Sequence, residues 1–151
     1  MMGKKKKCLG WREWVSLPDL GVTAMKVKVD SGAKTSAIHA EDIKIVKIPR
    51  TRKKMVHFSL YPDKKERTKI RAHALLRGRR RIRSSIGHVT VRPVIKTILR
   101  VNDEEWPIEV TLINRDIMGF RMLLGRSAIQ NGFLIDPAHS FLLARPRKRS
   151  R

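Results

Sequence analysis

The sequence predicts an all-β fold, mostly strands with one short helix, and two observations support this class. Residues rich in Ile, Val, Leu and Thr alternate with polar residues at a period of two, and turn signals separate these alternating segments. Helical periodicity is nearly absent from the chain. Many short strands joined by turns favour a closed barrel or a sandwich over an α/β architecture.

The alternating segments give the predicted strands in chain order, which are 24–29, 43–48, 55–60, 69–76, 88–101 and 106–113. Asn102–Glu105 places small and acidic residues between the last two, which predicts a hairpin with Trp106 opening the returning strand. One segment predicts a short helix, Arg126–Asn131, which begins after Gly125 and ends at Gly132. With only one or two turns, this helix would link strands rather than form a layer.

The charge is strongly positive and is not confined to the ends of the chain. The 151 residues fit one domain, and we predict it over residues 11–144, between basic arms at 1–10 and 145–151. The 35 Lys and Arg against 13 Asp and Glu give a formal charge of +22, which favours an acidic partner. Nucleic acid is the usual partner of such a chain, and RNA contact through the basic arms is one expectation.

The cysteine content and hydropathy predict a cytoplasmic protein that does not contact a membrane. Cys8 is the single cysteine and has no intramolecular partner, so nothing indicates an oxidising compartment. Lys4–Lys7 is followed by a segment of both charge signs rather than by the apolar core of a signal peptide. No apolar run approaches the roughly 18 residues of a membrane-spanning helix.

Two separated elements point to a catalytic carboxylate. In Val29–Lys34, Asp30 leaves an alternating strand and enters a Ser-Gly turn, which is how aspartic peptidases present their catalytic acid. Asp, Ser and Gly are also ordinary turn residues, so this segment alone is a weak signal. The second element, Met122–Ser127, places two apolar residues and a glycine before the predicted helix, and the pair is far more specific.

In order and character, these elements resemble the retropepsin-like aspartic peptidases. More closely, the chain is similar to a bacterial group often labelled ATP-dependent zinc proteases, which accompanies RimK-type glutamate ligases and includes the RimB peptidases. The similarity covers roughly residues 11–143, and its blocks are Gly10–Pro18, Val29–Ala37, Trp106–Leu112, Asn114–Met118 and Met122–Arg126.

The resemblance implies a retropepsin-like closed barrel that forms one subunit of a pepsin-type two-fold dimer. It implies an aspartic endopeptidase that acts on acidic protein, for RimB the glutamate tails added to a ribosomal protein, and no cofactor or metal. The catalytic turn would consist of Asp30, Ser31 and Gly32. Support for this turn would come from Ala33, Leu123, Leu124, Gly125 and Arg126.

The chemistry requires two carboxylates, whereas the motif occurs once. Peptide hydrolysis of this type needs one carboxylate to take a proton from water while another protonates the carbonyl oxygen or leaving amine. A two-fold axis would bring Asp30 of two chains together, and the pair would share one proton because both cannot comfortably ionise at close range. The prediction is an active site made by a homodimer.

Retropepsins cover the cleft with a mobile hairpin, the flap, and we predict it around Arg81–Arg92. The residues predicted to bind substrate there are Arg81, Arg83, Ser84, Ser85, Gly87, His88 and Arg92, since serine and glycine are typical of a loop tip and arginine binds carboxylates. Solvent-facing arginines on an irregular hairpin are the alternative interpretation.

Three rival functions stay open at this point. A zinc protease is suggested by the label of the group, but the five histidines are scattered and form no HExxH pair. A non-enzymatic RNA-binding or ribosome-binding module is suggested by the charge, but the aromatic content of 5% offers no evident stacking platform. A retropepsin fold that has lost its activity is the third.

Overall fold

The computed structural model describes residues 7–63, 68–84, 86–115, 117, 119–129 and 132–143. The basic tail predicted at 145–151 lies outside these residues, as do the first six residues of the arm predicted at 1–10. Ser85 of the predicted flap and the last two residues of the predicted helix also lie outside them.

Strands make up most of the described structure, which confirms the all-β class. The strands are β1 (Lys7–Gly10), β2 (Arg12–Leu17), β3 (Val22–Asp30), β4 (Ser36–His39), β5 (Glu41–Lys47), β6 (Lys54–Leu60), β7 (Ile70–Arg83), β8 (Val89–Val101), β9 (Glu104–Ile113), β10 (Met122–Gly125) and β11 (Phe133–Asp136). A short 3-10 helix, Pro18–Leu20, separates β2 from β3. No helix within the described residues is long and apolar enough to cross a membrane.

All six predicted strands exist, with shifted ends, and five shorter strands were not predicted. β4 and β10 are buried at every residue, so no polar alternation marks them in the sequence. The hairpin between β8 and β9 is confirmed, with a two-residue turn in which Asn102 has a φ of 56°. The returning strand opens at Glu104 rather than at Trp106.

The helix predicted over 126–131 is corrected in its described part. Residues 126–129 form turns instead, in which Ala128 N–H donates to the Gly125 carbonyl at 3.1 Å and Ile129 N–H donates to the Arg126 carbonyl at 3.2 Å. These i to i+3 hydrogen bonds are those of a tight turn, and an α-helix would need i to i+4 bonds.

Nine strands form one sheet in the order β2-β3-β10-β4-β9-β8-β7-β6-β5. A pairing of Ser16 in β2 with Arg100 in β8 joins six of these strands into a ring, from which β7, β6 and β5 extend. β1 and β11 form a separate parallel pair. The largest fully buried apolar side chains include Leu17, Met25, Ile38, Leu99, Leu112 and Leu124, all on ring strands.

The order of the strands around β10 determines where the candidate site lies. β3 and β4 are consecutive in the chain but do not pair with each other, because β10 lies between them. β10 runs parallel to β3 and antiparallel to β4. A segment from late in the chain therefore holds apart the two strands that flank the Asp30 turn.

The Glu13 carboxylate accepts hydrogen bonds from backbone groups near both ends of the described residues. Its side chain is 0% exposed and accepts hydrogen bonds from the N–H groups of Gly10 at 2.6 Å, Leu142 at 2.9 Å and Leu143 at 3.3 Å. A buried carboxylate is tolerated where several donors replace its hydration. One side chain on β2 thereby fixes the approach of the segment that follows β11.

Replacing Glu13 with glutamine should lower the free energy of unfolding by about 2 kcal/mol. The glutamine side chain is uncharged, so its oxygen accepts weaker hydrogen bonds, and its NH2 group faces backbone N–H groups that are themselves donors. Urea unfolding monitored by tryptophan fluorescence measures the change. The exposed Glu105 provides a matched control, and Glu105→Gln should change the unfolding free energy by less than about 0.5 kcal/mol. Equal effects of the two substitutions would contradict the role of Glu13 as a buried hydrogen-bond acceptor.

Candidate active site

Asp30 is the last residue of β3 and lies at the point where two parallel strands end together. In the register of β3 and β10, Asp30 is the partner of Gly125, the last residue of β10. Alternation along β3 directs Val27 and Val29 into the core, so the half-buried Asp30 faces the other side of the sheet. Strand periodicity thus brings the carboxylate to the surface of a rigid sheet.

The turn after Asp30 is held by the carboxylate itself. Gly32 N–H donates to Asp30 Oδ1 at 2.9 Å, and Ala33 N–H donates to the Asp30 carbonyl at 3.3 Å. This is the local side-chain bonding for which Asp is favoured in turns. A Cβ on Gly32 would lie 3.1 Å from Asp30 Oδ1, so glycine leaves the carboxylate its space. Ser31 is exposed at the tip of the turn.

The segment after β10 is hydrogen-bonded to the same turn. Arg126 N–H donates to the Ala33 carbonyl at 2.7 Å, and Ser127 N–H donates to the Lys34 carbonyl at 3.1 Å. The exposed Arg126 guanidinium also reaches the carbonyl oxygens of Ser31 at 3.5 Å and Gly32 at 3.4 Å. The structure therefore brings the two sequence elements together.

Gly125 permits the closest approach in this part of the molecule. A Cβ at this position would lie 2.7 Å from the Thr35 carbonyl carbon, 2.8 Å from the Thr35 oxygen and 2.9 Å from the Ala33 oxygen. No side chain fits against backbone at such distances. The two preceding residues are buried, with Leu124 1% and Leu123 8% exposed, and they anchor β10 between its neighbours.

Two buried hydroxyls behind the turn were not among the predicted residues. Ser36 Oγ accepts the Gly125 N–H at 3.0 Å, and Thr111 Oγ1 donates to the Ser36 carbonyl at 3.0 Å. Both residues are 0% exposed. Ser36 lies in the matched block Val29–Ala37, but its partners are far along the chain, so no local pattern reveals its role.

Replacing Ser36 with alanine should destabilise the protein by about 1.5 kcal/mol, because the buried Gly125 N–H loses its acceptor. Denaturant unfolding measures the change, and the slope with denaturant should stay the same. Ser31→Ala is the control, since Ser31 is exposed and its loss should change the unfolding free energy by less than about 0.5 kcal/mol. Equal stability of the Ser36 variant and the wild-type protein would contradict the role of this hydroxyl.

The predicted flap is a hairpin of β7 and β8, but its arginines do not share one face. Arg81 pairs with Val91 and Arg83 with Val89, which places both arginines on the exposed face. Arg92 pairs with Arg80 on the opposite face. The three arginines predicted to bind one substrate are therefore divided by the hairpin.

Arg92 is also less accessible than the other two arginines. It is 9% exposed, and its Nε donates to Thr90 Oγ1 at 3.0 Å. Burial lowers the pKa of Arg92 below its ordinary value, and the nearby positive charge of Arg115 lowers it further. Arg92 is thus placed to hold the hairpin rather than to reach solvent.

The segment predicted as a loop tip does connect the two strands of this hairpin. Ser84 Oγ accepts the His88 N–H at 3.1 Å, and Gly87 N–H donates to the Ser84 carbonyl at 3.0 Å. Gly87 has a φ of 88°, a conformation that favours glycine. That these residues bind substrate stays a prediction.

No three His, Cys, Asp or Glu side chains come together as a potential metal site within the described ranges. The buried His39 has one carboxylate neighbour, since its Nε2 lies 3.1 Å from Glu41 Oε2. His39 N–H donates to the Arg121 carbonyl, which places His39 beside the start of β10, whereas Asp30 pairs with its end.

Comparison with known proteins identifies the family of the chain. Residues 8–146 match the family described as retropepsin-like aspartic endopeptidase RimB. The chain belongs to this RimB-like family. The matched region contains the Asp30 turn, β10 and the hairpin of β7 and β8. The family assignment confirms the resemblance that the sequence blocks indicated.

The curated relatives of this RimB-like chain carry a different name and are much longer. A probable alpha-L-glutamate ligase of Desulfotalea psychrophila is 44% identical over 146 residues, covering 96% of this chain and 31% of the relative. A protein of the same name from Shewanella halifaxensis is 44% identical over 143 residues, covering 94% and 31%. The chain thus spans about a third of the length of these relatives.

Among solved structures, a Legionella pneumophila protein of unknown function has a similar fold. It superimposes with a TM-score of 0.73 at 25% sequence identity, covering 89% of this chain and 96% of that protein. Nearly the whole RimB-like fold is therefore shared with a chain of comparable length.

Proposed function

We propose that this RimB-like protein is an aspartic endopeptidase whose active site forms when two copies bring their Asp30 carboxylates together. The observation that carries the proposal is the frame around Asp30, in which β3, β10 and the segment after β10 hold one carboxylate at a strand end. Each chain supplies one such turn, and the reaction requires two carboxylates. A two-fold axis between two copies of the chain would supply the second carboxylate.

In the proposed reaction, one Asp30 carboxylate takes a proton from water as the water oxygen adds to the carbonyl carbon of the peptide bond. The protonated Asp30 of the second copy gives its proton to the carbonyl oxygen. The tetrahedral intermediate then collapses and the C–N bond breaks. The leaving amine takes the proton held by the first Asp30, and one hydroxyl of the intermediate returns its proton to the second Asp30 as the carboxyl product forms. Two carboxylates at close range share one proton, which provides both the acid and the base.

The proposed substrate is an acidic protein segment, with a glutamate tail, such as one on a ribosomal protein, as the candidate. The formal charge of +22 favours such a substrate and would raise its local concentration at the surface. The glutamate ligase name of the longer relatives also supports it, since removal of glutamate opposes its addition. The cytoplasm, where RimK-type ligation of ribosomal protein would take place, is the proposed location.

Subunit mixing tests the shared site. Wild-type protein and an Asp30→Asn variant are unfolded together, refolded at fixed total concentration, and assayed with a glutamate-tailed peptide. If each site needs two aspartates, activity should fall with the square of the wild-type fraction, so an equal mixture retains about a quarter of the activity.

Refolded wild-type protein mixed with an Asp103→Asn variant is the control and should keep full activity, because Asp103 lies exposed in the turn between β8 and β9. A linear fall with the Asp30→Asn fraction would show that one chain suffices and would overturn the dyad. Cleavage by the pure Asp30→Asn variant at the wild-type rate would overturn the aspartic mechanism itself.

A further inference from the structure

The hairpin of β7 and β8 extends beyond the neighbouring strands as a two-stranded ribbon. The pairing of β7 with β6 ends at Leu75, and the pairing of β8 with β9 ends at Val94. Past these points, in the described part of the chain, residues 79–83 pair only with residues 89–93. Gly78 pairs with Val94, and Arg77 lies at the register shift before it. We call residues 77–83 and 89–93 the arginine ribbon.

The ribbon lies in the longest stretch of the sequence without an acidic residue, between Glu66 and Asp103. Residues 70–101 contain no Asp or Glu, and they carry nine cationic side chains, Arg71, Arg77, Arg79, Arg80, Arg81, Arg83, Arg92, Lys96 and Arg100. Six of the nine are on the ribbon itself. A field of one sign over such a length attracts a polyanion rather than a single carboxylate.

The strand period arranges four of these arginines in a row. Arg77, Arg79, Arg81 and Arg83 are all exposed and occupy alternate positions of β7. At about 3.3 Å per residue, the row extends over about 20 Å. Among the described residues, none of the four forms an ion pair. The row is therefore available to an external anion.

The opposite face of the ribbon carries one accessible arginine, Arg80. Its cross-strand partner Arg92 is 9% exposed and does not reach solvent. Arg80 Nη2 contacts Glu109 Oε2 at 3.2 Å, and this exposed ion pair is weak enough to exchange for another anion. Arg80 therefore gives the ribbon one cationic side chain on the face away from the arginine row.

Apolar side chains accompany the arginines at the end of the ribbon. Val91 is 59% exposed and Val89 is 41% exposed, both on the face of the arginine row, and Ile86 in the loop is 80% exposed. An exposed aliphatic side chain at the tip of a basic ribbon is suited to contact the sugars or base edges within a nucleic-acid groove. Single exposed apolar residues are common, but this cluster lies beside the arginine row.

We propose that the arginine ribbon binds a nucleic-acid duplex through its phosphate backbone. A two-stranded ribbon fits into the major groove of a B-form duplex, where phosphates line both sides. The arginine row can then meet one strand and Arg80 the other. A duplex carries about one charge per 1.7 Å of its axis, so the row of about 20 Å meets several phosphates at once. An acidic peptide along one face would reach the arginine row but not Arg80 on the other face.

Binding to RNA and DNA duplexes of the same sequence and about 24 base pairs tests the proposal, with affinity measured across a range of salt concentrations. The ribbon variant carries Arg79→Gln, Arg81→Gln and Arg83→Gln. The control variant carries Lys44→Gln, Lys47→Gln and Arg52→Gln, three exposed residues on and after β5, so the net charge falls equally. Circular dichroism confirms that both variants are folded.

The ribbon variant should raise the Kd at least about 10-fold near 0.1 M salt and reduce the salt slope by about 2 to 3. The control variant should change the Kd less than about 3-fold and keep the slope within about 1 of the wild-type value. Ribbon-dependent binding of either duplex supports the proposal, and the ratio of the two affinities identifies the preferred nucleic acid. Equal losses of duplex affinity in the two variants would show that binding depends on net charge alone, and would overturn the proposal that the ribbon binds the duplex.

A glutamate peptide provides the competing ligand in the same assay. If the ribbon variant loses the peptide but keeps the duplex, the ribbon is a peptide site and the proposal is overturned. Because duplex binding is measured without hydrolysis, its failure leaves the peptidase proposal untouched, and an inactive Asp30→Asn protein should bind duplex as the wild type does.

Discussion

Asp30→Asn is expected to abolish peptide hydrolysis, lowering kcat/KM for a glutamate-tailed substrate by at least about 10³-fold. Asparagine has nearly the same shape as aspartate but neither takes a proton from water nor gives one to the carbonyl oxygen. Since each proposed site uses Asp30 twice, one substitution removes both the acid and the base. Product formation followed by mass spectrometry measures the loss.

The fold of this variant should stay intact, because asparagine keeps the Oδ1 acceptor that Gly32 N–H uses at 2.9 Å. Asp103→Asn, the substitution of an exposed turn carboxylate, should retain wild-type activity. If Asp30→Asn kept more than about a tenth of the wild-type rate, the proposed general acid-base role of Asp30 would be untenable.

Gly125→Ala is expected to lower the free energy of unfolding by about 3 kcal/mol and to remove most activity. The new Cβ would lie 2.7 Å from the Thr35 carbonyl carbon and 2.9 Å from the Ala33 oxygen, so β10 or the Asp30 turn must move. Movement of either element displaces the carboxylate from its frame. Urea unfolding measures the stability, and the peptide assay in the folded range measures the activity.

Arg126→Ala provides the matched control, because Arg126 is the next residue, is exposed, and contacts the turn carbonyls only at 3.4 and 3.5 Å. Arg126→Ala should lower the free energy of unfolding by less than about 1 kcal/mol. An unfolding free energy of Gly125→Ala within about 0.5 kcal/mol of the wild-type value would refute the close approach on which this frame depends.

Several elements could be predicted from local pattern alone. β3 alternates between core and surface until Asp30, so its periodicity indicated the strand that carries the carboxylate. The β8–β9 hairpin follows from the turn chemistry around Asn102, whose positive φ matches a two-residue turn. The family resemblance added the pairing of the Asp30 turn with Leu123–Arg126.

Other elements have no local signal. β4 and β10 are short and buried on both faces, so their sequences show neither alternation nor helical period. The segment after Gly125 contains good helix-forming residues, yet its described part forms turns with i to i+3 hydrogen bonds. Its first two N–H groups, those of Arg126 and Ser127, bond to the Asp30 turn, which sets how the segment leaves β10.

Local pattern is enough to establish the all-β class, the strand that carries Asp30, and the turn chemistry that presents one carboxylate. The folded chain shows in addition that β10 lies between β3 and β4, that Ser36 receives the Gly125 N–H, and that the hairpin arginines divide between two faces. Periodicity and turn propensity act over a few residues, whereas strand order and register depend on burial across the whole chain.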